Sequence, residues 1–319
     1  MLELYFFNVG HGDSIAVKFP NEEWGVIDCN RNREDNEPNV LKFLKSKNVT
    51  NLKFLAVTHF HEDHFKGIDT IANYFGDNIT NFLIPTLRNN SKLGPNNLNS
   101  LNKALKKVLW PNKSHKLKVI EDGNTYCVGD IEIKLLNPNM DIVKECFTKY
   151  VANCEALIFN KESLVLLFKY AGKKILLTGD ATDDVWENIL KENEDISADI
   201  LKISHHGSIE NNPSDLLNVI LGNNCYAVIS SDGNNKYKSL PSHEVINYIT
   251  NNKNSEVLNT YNLNQNIAQS NNYQNIDILK TNKIIDGIAK RKQTTKYDGY
   301  FKIVINDDGN ISYETIQTI

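Results

Sequence analysis

At 319 residues, the chain has room for one large domain or two small ones, and 40% hydrophobic residues exclude a disordered polypeptide. A formal net charge of -4 excludes nucleic-acid binding through overall positive charge, so any such contact needs a local basic patch or bound cations. Five scattered cysteines (Cys29, Cys127, Cys146, Cys154, Cys225), none in Cys-x-x-Cys spacing, argue for reduced thiols and a cytoplasmic protein.

The first residues, Leu2 to Phe7, read as a strand and not as a signal peptide, since they lack a basic stretch and a small-residue cleavage site. Ser14 to Phe19 and Trp24 to Asp28 are the next two strands, separated by turn residues. Val40, Leu41 and Leu44 fall at helical spacing, which predicts a helix over Val40 to Ser46. A strand from Phe54 to Val57 leads into a histidine-rich loop, and a helix is expected from Phe65 to Phe75. Asn81 to Pro85 reads as a strand. The Asn- and Ser-rich stretch 89–102 reads as a loop or insertion. Leu101 to Leu109 predicts a surface helix with a solvated lysine face, and a basic lip beside the site is the functional alternative.

Strands are expected at Ile131 to Leu136, Leu164 to Tyr170, Lys174 to Leu177, Asp199 to Ile203 and Tyr226 to Ser230. Helices are expected at Asp183 to Lys191, Ser214 to Leu221 and Ser242 to Asn251. Asn259 to Asn275 is polar and reads as an irregular surface excursion. Gly299 to Ile305 and Ile311 to Thr318 flank Asp307-Asp308-Gly309-Asn310, a terminal hairpin signal. No apolar run approaches membrane-spanning length.

The stretch Thr58-His59-Phe60-His61-Glu62-Asp63-His64 carries the chemistry. Imidazole nitrogens and carboxylate oxygens concentrated after a buried strand suit zinc, manganese or iron. This motif resembles the signature of the metallo-β-lactamase superfamily of metal-dependent hydrolases. Phe7-Asn8-Val9-Gly10-His11-Gly12-Asp13-Ser14 resembles the "VGQGDS" opening of the C-terminal hydrolase domain of competence DNA-uptake channel proteins, found also in free-standing relatives and phosphorylcholine esterases. Ser163 to Leu167, Ile175 to Ala181 and Leu201 to Ser208 resemble that branch's later blocks, in order.

The resemblance implies an α/β (α+β) fold, a four-layer αββα sandwich spanning 1–319 as a single domain, with surface insertions near 86–116 and 260–296. It implies a two-metal site, zinc or manganese, with His59, His61, Asp63, His64, Asp180 and His205 as ligands. Asp180 would bridge the ions, against its ordinary reading as a turn or cap aspartate. His206 is kept as either a ligand or a transition-state contact. Asp63 is both ligand and proton acceptor, so Asp63 and His206 are the catalytic candidates. Gly207 and Ser208 would let backbone approach a bound phosphate. Asp13, Asp28 and Asn160 are candidates for supporting the ligands or meeting substrate, and Asp28 is placed to accept from a ligating imidazole N–H.

Two positions depart from the pattern. Many superfamily members supply a further histidine before the bridging aspartate, where His115 here reads as an exposed loop residue. Leu240-Pro241 stands where the channel proteins have His-Pro, and His243 reads as a surface residue opening a helix. His11 replaces the common glutamine, with a substrate contact and a turn role equally open. The expected function is hydrolysis of a phosphodiester, with nucleic acid as the leading substrate. A small phosphodiester and a non-catalytic partner subunit are the alternatives. No membrane contact is expected. Local basic stretches at Lys103 to Lys118 and Lys290 to Lys292 would serve nucleic acid.

Overall fold

Alternation along the strands sorts the side chains into three separate cores. On β1 (Leu2–Phe7), Leu2, Leu4 and Phe6 face one way, while Tyr5 and Phe7 face the other. The same period-two split occurs over Phe54 to Ala56 of β4 (Leu52–Ala56) and on β9 (Val165–Tyr170), as a strand buried on both faces requires. The structure, a computed structural model, describes residues 1–31, 37–85, 117–119, 125–139, 142, 158–192, 195–233, 240–252, 254–263 and 299–316.

The first sheet has eight strands in the order β15-β14-β1-β2-β3-β4-β5-β6. These add β2 (Ser14–Lys18), β3 (Trp24–Cys29), β5 (Ile79–Ile84), β6 (Leu117–Val119), β14 (Tyr300–Ile305) and β15 (Ile311–Ile316). The second has seven in the order β13-β12-β11-β10-β9-β8-β7. Here β7 is Thr125–Val128, β8 Ile131–Asn137, β10 Lys173–Leu177, β11 Ala198–Lys202, β12 Leu221–Ile229 and β13 Glu256–Asn259.

The middle core lies between the sheets, with Phe6, Ile27 and Phe54 from one meeting Leu166, Phe168 and Ile200 from the other. Helices α1 (Asn39–Ser46) and α3 (Ile68–Phe75) cover the outer face of the first sheet through Leu41, Leu44 and Ile71. Helices α5 (Asp183–Glu192), α6 (Ser214–Ile220) and α7 (His243–Asn252) cover the second through Trp186, Leu217 and Val245. The layers therefore run helix, sheet, sheet, helix, the αββα sandwich that the motifs imply.

Within the described residues, the predicted strands and helices are present, most with small boundary shifts. The helix expected over Phe65 to Phe75 is two pieces, α2 (Glu62–Phe65) and α3. The break falls where the Gly67 N–H donates to the Cys29 carbonyl at the end of β3, 2.8 Å away. Strands β6, β7 and β13 and the short helix α4 (Ile158–Lys161) were not expected from the sequence, and β12 begins five residues before its expected start. The insertion near 86–116, the one near 260–296 from residue 264 onward, the Leu101 to Leu109 helix, His115 and the Lys290 to Lys292 cluster lie outside the described residues. Among the described residues, Cys29, Cys127 and Cys225 are free thiols. No described helix is long and apolar enough to cross a membrane.

Candidate metal centre

Strands β3 and β4 run parallel, so their C-terminal ends open at one edge of the first sheet. Strands β10, β11 and β12 run parallel in the second sheet. Carboxyl ends of parallel strands are where α/β sheets place ligands, because the chain leaves the ladder there and its side chains are free to converge. Asp28 ends β3, the histidine loop follows β4, Asp180 follows β10, and His205 and His206 follow β11.

Asp28 organises the first loop. It is fully buried and accepts from the Thr58 N–H at 2.7 Å and the Thr58 hydroxyl at 2.6 Å. It also lies 2.7 Å from His64 Nδ1. With its hydroxyl hydrogen given to Asp28, Thr58 presents a lone pair to His59 Nδ1 at 3.1 Å. Both imidazoles are thereby fixed with Nδ1 protonated and Nε2 as the acceptor nitrogen. On the second sheet, His206 Nδ1 donates to the Ser230 carbonyl at 2.9 Å, which fixes the same tautomer.

The acceptor nitrogens face carboxylates. His64 Nε2 lies 3.4 Å from Asp180 Oδ2 and 3.9 Å from Asp63 Oδ2. His206 Nε2 lies 3.3 Å from Asp63 Oδ2 and 3.5 Å from Asp180 Oδ2. His59 Nε2 lies 3.8 Å from Asp180 Oδ2 and 3.1 Å from His61 Nδ1. Buried lone pairs that face one another need a cation between them, either protons or a metal. Four ligands about 2.0–2.1 Å from a tetrahedral ion stand about 3.3 Å apart, close to this spacing. His64 Nε2, His206 Nε2 and Asp180 Oδ1 are buried with no hydrogen-bond partner among the described residues, as expected of atoms reserved for an ion. The donor set fits a zinc- or manganese-type ion.

Electrostatics point the same way. Burial opposes charge on His64, yet Asp180, Asp28 and Asp63 lift its pKa well above the usual histidine value. Burial likewise works against charged His206, and Asp180 and Asp63 outweigh it. Burial alone would raise Asp63 and Asp180, but His64 and His206 hold both well below the carboxylate range. His59 is pushed far down by burial and by His64. The cluster attracts positive charge strongly at its centre while keeping His59 neutral.

The structure places the rings of His205 and His206 differently. His206 Nε2 joins the converging donors, whereas His205 Nδ1 meets the Asn211 side-chain amide and the ring is partly exposed. The backbone forces this split. His205, His206 and Gly207 take φ of 45°, 54° and 83°, a left-handed run that L residues adopt at a cost of about 1–2 kcal/mol each. Asn212 holds the run in place, its amide donating to the carbonyls of Ser204 and Ser208 at 2.8 and 2.7 Å. A Cβ at Gly207 would come within 2.8 Å of Pro241 Cβ, so this glycine serves close packing against Pro241.

Asp180 is positioned by its N–H, which donates to Ser163 Oγ at 3.1 Å. Asn160 on α4 supports this from behind, its carbonyl accepting from the Ser163 N–H at 3.1 Å. Asp13 pairs with Lys202, a fully buried lysine that the sequence reading passed over. His11 also comes into the cluster, its Nε2 3.2 Å from Asp63 Oδ2. His243 opens α7 as an exposed residue, as expected. A polar residue ending an apolar strand, as Lys202 does, was the one signal available for it.

No family model matches the chain. Over 250 residues it is 22% identical to ComE operon protein 3 of Bacillus subtilis strain 168, a match covering 74% of this chain and 29% of that protein. The chain thus spans under a third of that curated relative's length. Among solved structures it is similar to a metal-dependent hydrolase of the β-lactamase superfamily, at 11% identity and a TM-score of 0.44, covering 81% of this chain and 96% of that one. It is similar to a diphosphatase of the PhnP family at 12% identity and a TM-score of 0.41, covering 81% and 94%. A metallo-β-lactamase from Staphylococcus aureus subsp. aureus COL matches at 14% identity and a TM-score of 0.35, covering 60% and 50%.

Proposed function

We propose that this chain is a metal-dependent hydrolase that cleaves phosphodiesters, with nucleic acid as the substrate class. One observation carries the metal dependence. His64 and His206 have their Nδ1 atoms engaged by Asp28 and the Ser230 carbonyl, which leaves both Nε2 lone pairs aimed at Asp63 and Asp180.

His59, His61 and Asp180 would hold one ion, and Asp63, His64, His206 and Asp180 the other, with Asp180 shared. Ions bound there lower the pKa of water and neutralise negative charge building on phosphorus. The chain's own groups do the rest. Asp63 is the most exposed of the four aspartates around the imidazoles, with 24% of its side chain open, and it can accept the proton that the attacking water gives up. Asp28 keeps His64 and, through Thr58, His59 in the right tautomer while substrate binds and leaves. Fully buried His59, His64 and His206 form the closed floor of the site.

Nucleic acid is favoured by the resemblance of residues 7–14, 175–181 and 201–208 to the hydrolase domain of DNA-uptake proteins. A small phosphodiester is the second reading, favoured by the net charge of -4. A salt titration of single-stranded DNA binding, run beside turnover of a small chromogenic phosphodiester, separates them. A nuclease shows metal-dependent DNA binding that weakens steeply with salt. Turnover of the small ester without any DNA affinity at low salt selects the second reading, and no turnover of either substrate with metal present rejects both.

A further inference from the structure

The loop between β1 and β2 is held against the histidine loop by a backbone hydrogen bond and against the end of β3 by the Asn30 side chain. The Asp13 N–H donates to the Asp63 carbonyl at 3.3 Å, and the Asn30 amide donates to the His11 carbonyl at 2.6 Å. Gly12 makes the approach possible: at φ 112°, a Cβ there would sit 2.2 Å from the Asp63 carbonyl oxygen and 2.8 Å from Asp63 Cβ. The result is that His11 stands directly over the Asp63 side chain, its ring centroid 4.1 Å from that of His206.

We propose that His11 is a direct ligand of the ion held by Asp63 and His206, and that this ion position is therefore the tighter of the two. The inference rests on the reading of the cluster as a metal centre. His11 Nε2 and His206 Nε2 approach the same atom, Asp63 Oδ2, at 3.2 and 3.3 Å. The three donor atoms lie within 4.8 Å of one another. Donors bound to a common ion have this spacing, about 3.3 Å for a tetrahedral shell. A histidine that met only substrate would reach past the ligand carboxylate, whereas only 17% of the His11 side chain is exposed.

The consequence is asymmetry. With His11, one position gathers three imidazoles and the Asp63 carboxylate, with Asp180 alongside. The other gathers His59, His61 and the shared Asp180. An added imidazole strengthens binding of a zinc- or cobalt-type ion more than the neutral amide of a glutamine at this position could.

Cobalt(II) titration followed by visible absorption tests this, with zinc competition against a chromogenic chelator as a second readout. Wild type should fill two positions in two steps. His11→Gln and His11→Ala should weaken the tighter step about 10-fold or more and shift its absorption band, leaving the weaker step unchanged. Circular dichroism and melting of the metal-free variants verify that the fold is kept. Variants with the wild-type tight step and an unaltered band overturn the assignment alone. A wild type that binds no cobalt overturns it together with the metal-centre reading.

Discussion

The Lys202 ammonium lies 2.7 Å from Asp13 Oδ2, and both side chains are sealed from solvent between the two sheets. Lys202 follows Ile200 on the inward face of β11, so its chain runs through the middle core before its head reaches the site. There it also donates to the Gly179 carbonyl at 3.2 Å and stands 3.9 Å from Asp180 Oδ1. Burial disfavours its charge, yet Asp13 and Asp180 raise its pKa above the usual lysine value. This ion pair ties the loop after β1 to the strand that delivers His206.

Breaking that pair should be expensive. Lys202→Met leaves the Asp13 carboxylate buried and uncompensated, a loss of about 3–5 kcal/mol. Asp13→Asn should cost a similar amount, and the double variant less than the sum, because two neutral side chains no longer strand a charge. Denaturant unfolding of the four proteins in chelator measures the coupling. Additive losses would show that the two groups do not stabilise each other.

Asp28→Asn should act on the metal through His64. An amide has one accepting oxygen where the carboxylate has two: with that oxygen in the place of Oδ2 its NH2 meets the Thr58 N–H, and turned over it meets the Thr58 hydroxyl and His64 Nδ1 instead, so the tautomer that frees His64 Nε2 loses its anchor. Loss of such a partner costs about 10–100-fold in metal affinity. Calorimetric zinc titration reads the change, and wild-type affinity in the variant would reject the role given to Asp28.

Asp63→Ala and His61→Ala should lower kcat/KM by about 10³-fold or more, the equivalent of several kcal/mol of lost transition-state stabilisation. The fold should survive, because both residues lie at the rim of a molecule stabilised by three apolar cores. Unchanged circular dichroism with lost turnover is the expected pairing, and full turnover in both variants would reject the site.

The metal-free protein should lose stability as pH rises above about 6.5, the ordinary value for unfolded histidine. His64 and His206 have raised folded pKa values, so their contribution is complete below that point and is lost as pH rises through those values. His11, at about 3, and His59 and His205, also lowered, are already neutral in both states above pH 6.5 or so, and do not oppose the trend. Added zinc should reverse it, because metal replaces the protons. Melting temperatures between about pH 6.5 and 8.5, with chelator and with zinc, give the comparison. A metal-free Tm that climbs across that range would contradict the charge assignment.

Much of this was legible in the sequence because it depends on periodicity and local pattern. The alternation of Leu2, Leu4 and Phe6 marks a strand, and the histidine loop marks its own chemistry. What escaped depends on tertiary position. Neighbouring His205 and His206 look equivalent in sequence, and only their left-handed backbone decides which ring turns inward. Lys202 reads as the polar end of an apolar strand until the second sheet places Asp13 against it. The strand expected from Tyr226 leaves Gly222-Asn223-Asn224 outside it, yet β12 runs through them beside Ala198 on β11, with a register shift between Ala198 and Ile200. Strand β7 is partly exposed along its length and carries little alternation to detect.

Elemental analysis of protein purified without chelator tests the central claim most directly. Zinc or manganese at about one to two ions per chain is the expected result, since the proposed assignment gives the donors two ion positions that share Asp180. Metal-free protein that also fails to bind added zinc or manganese would contradict it.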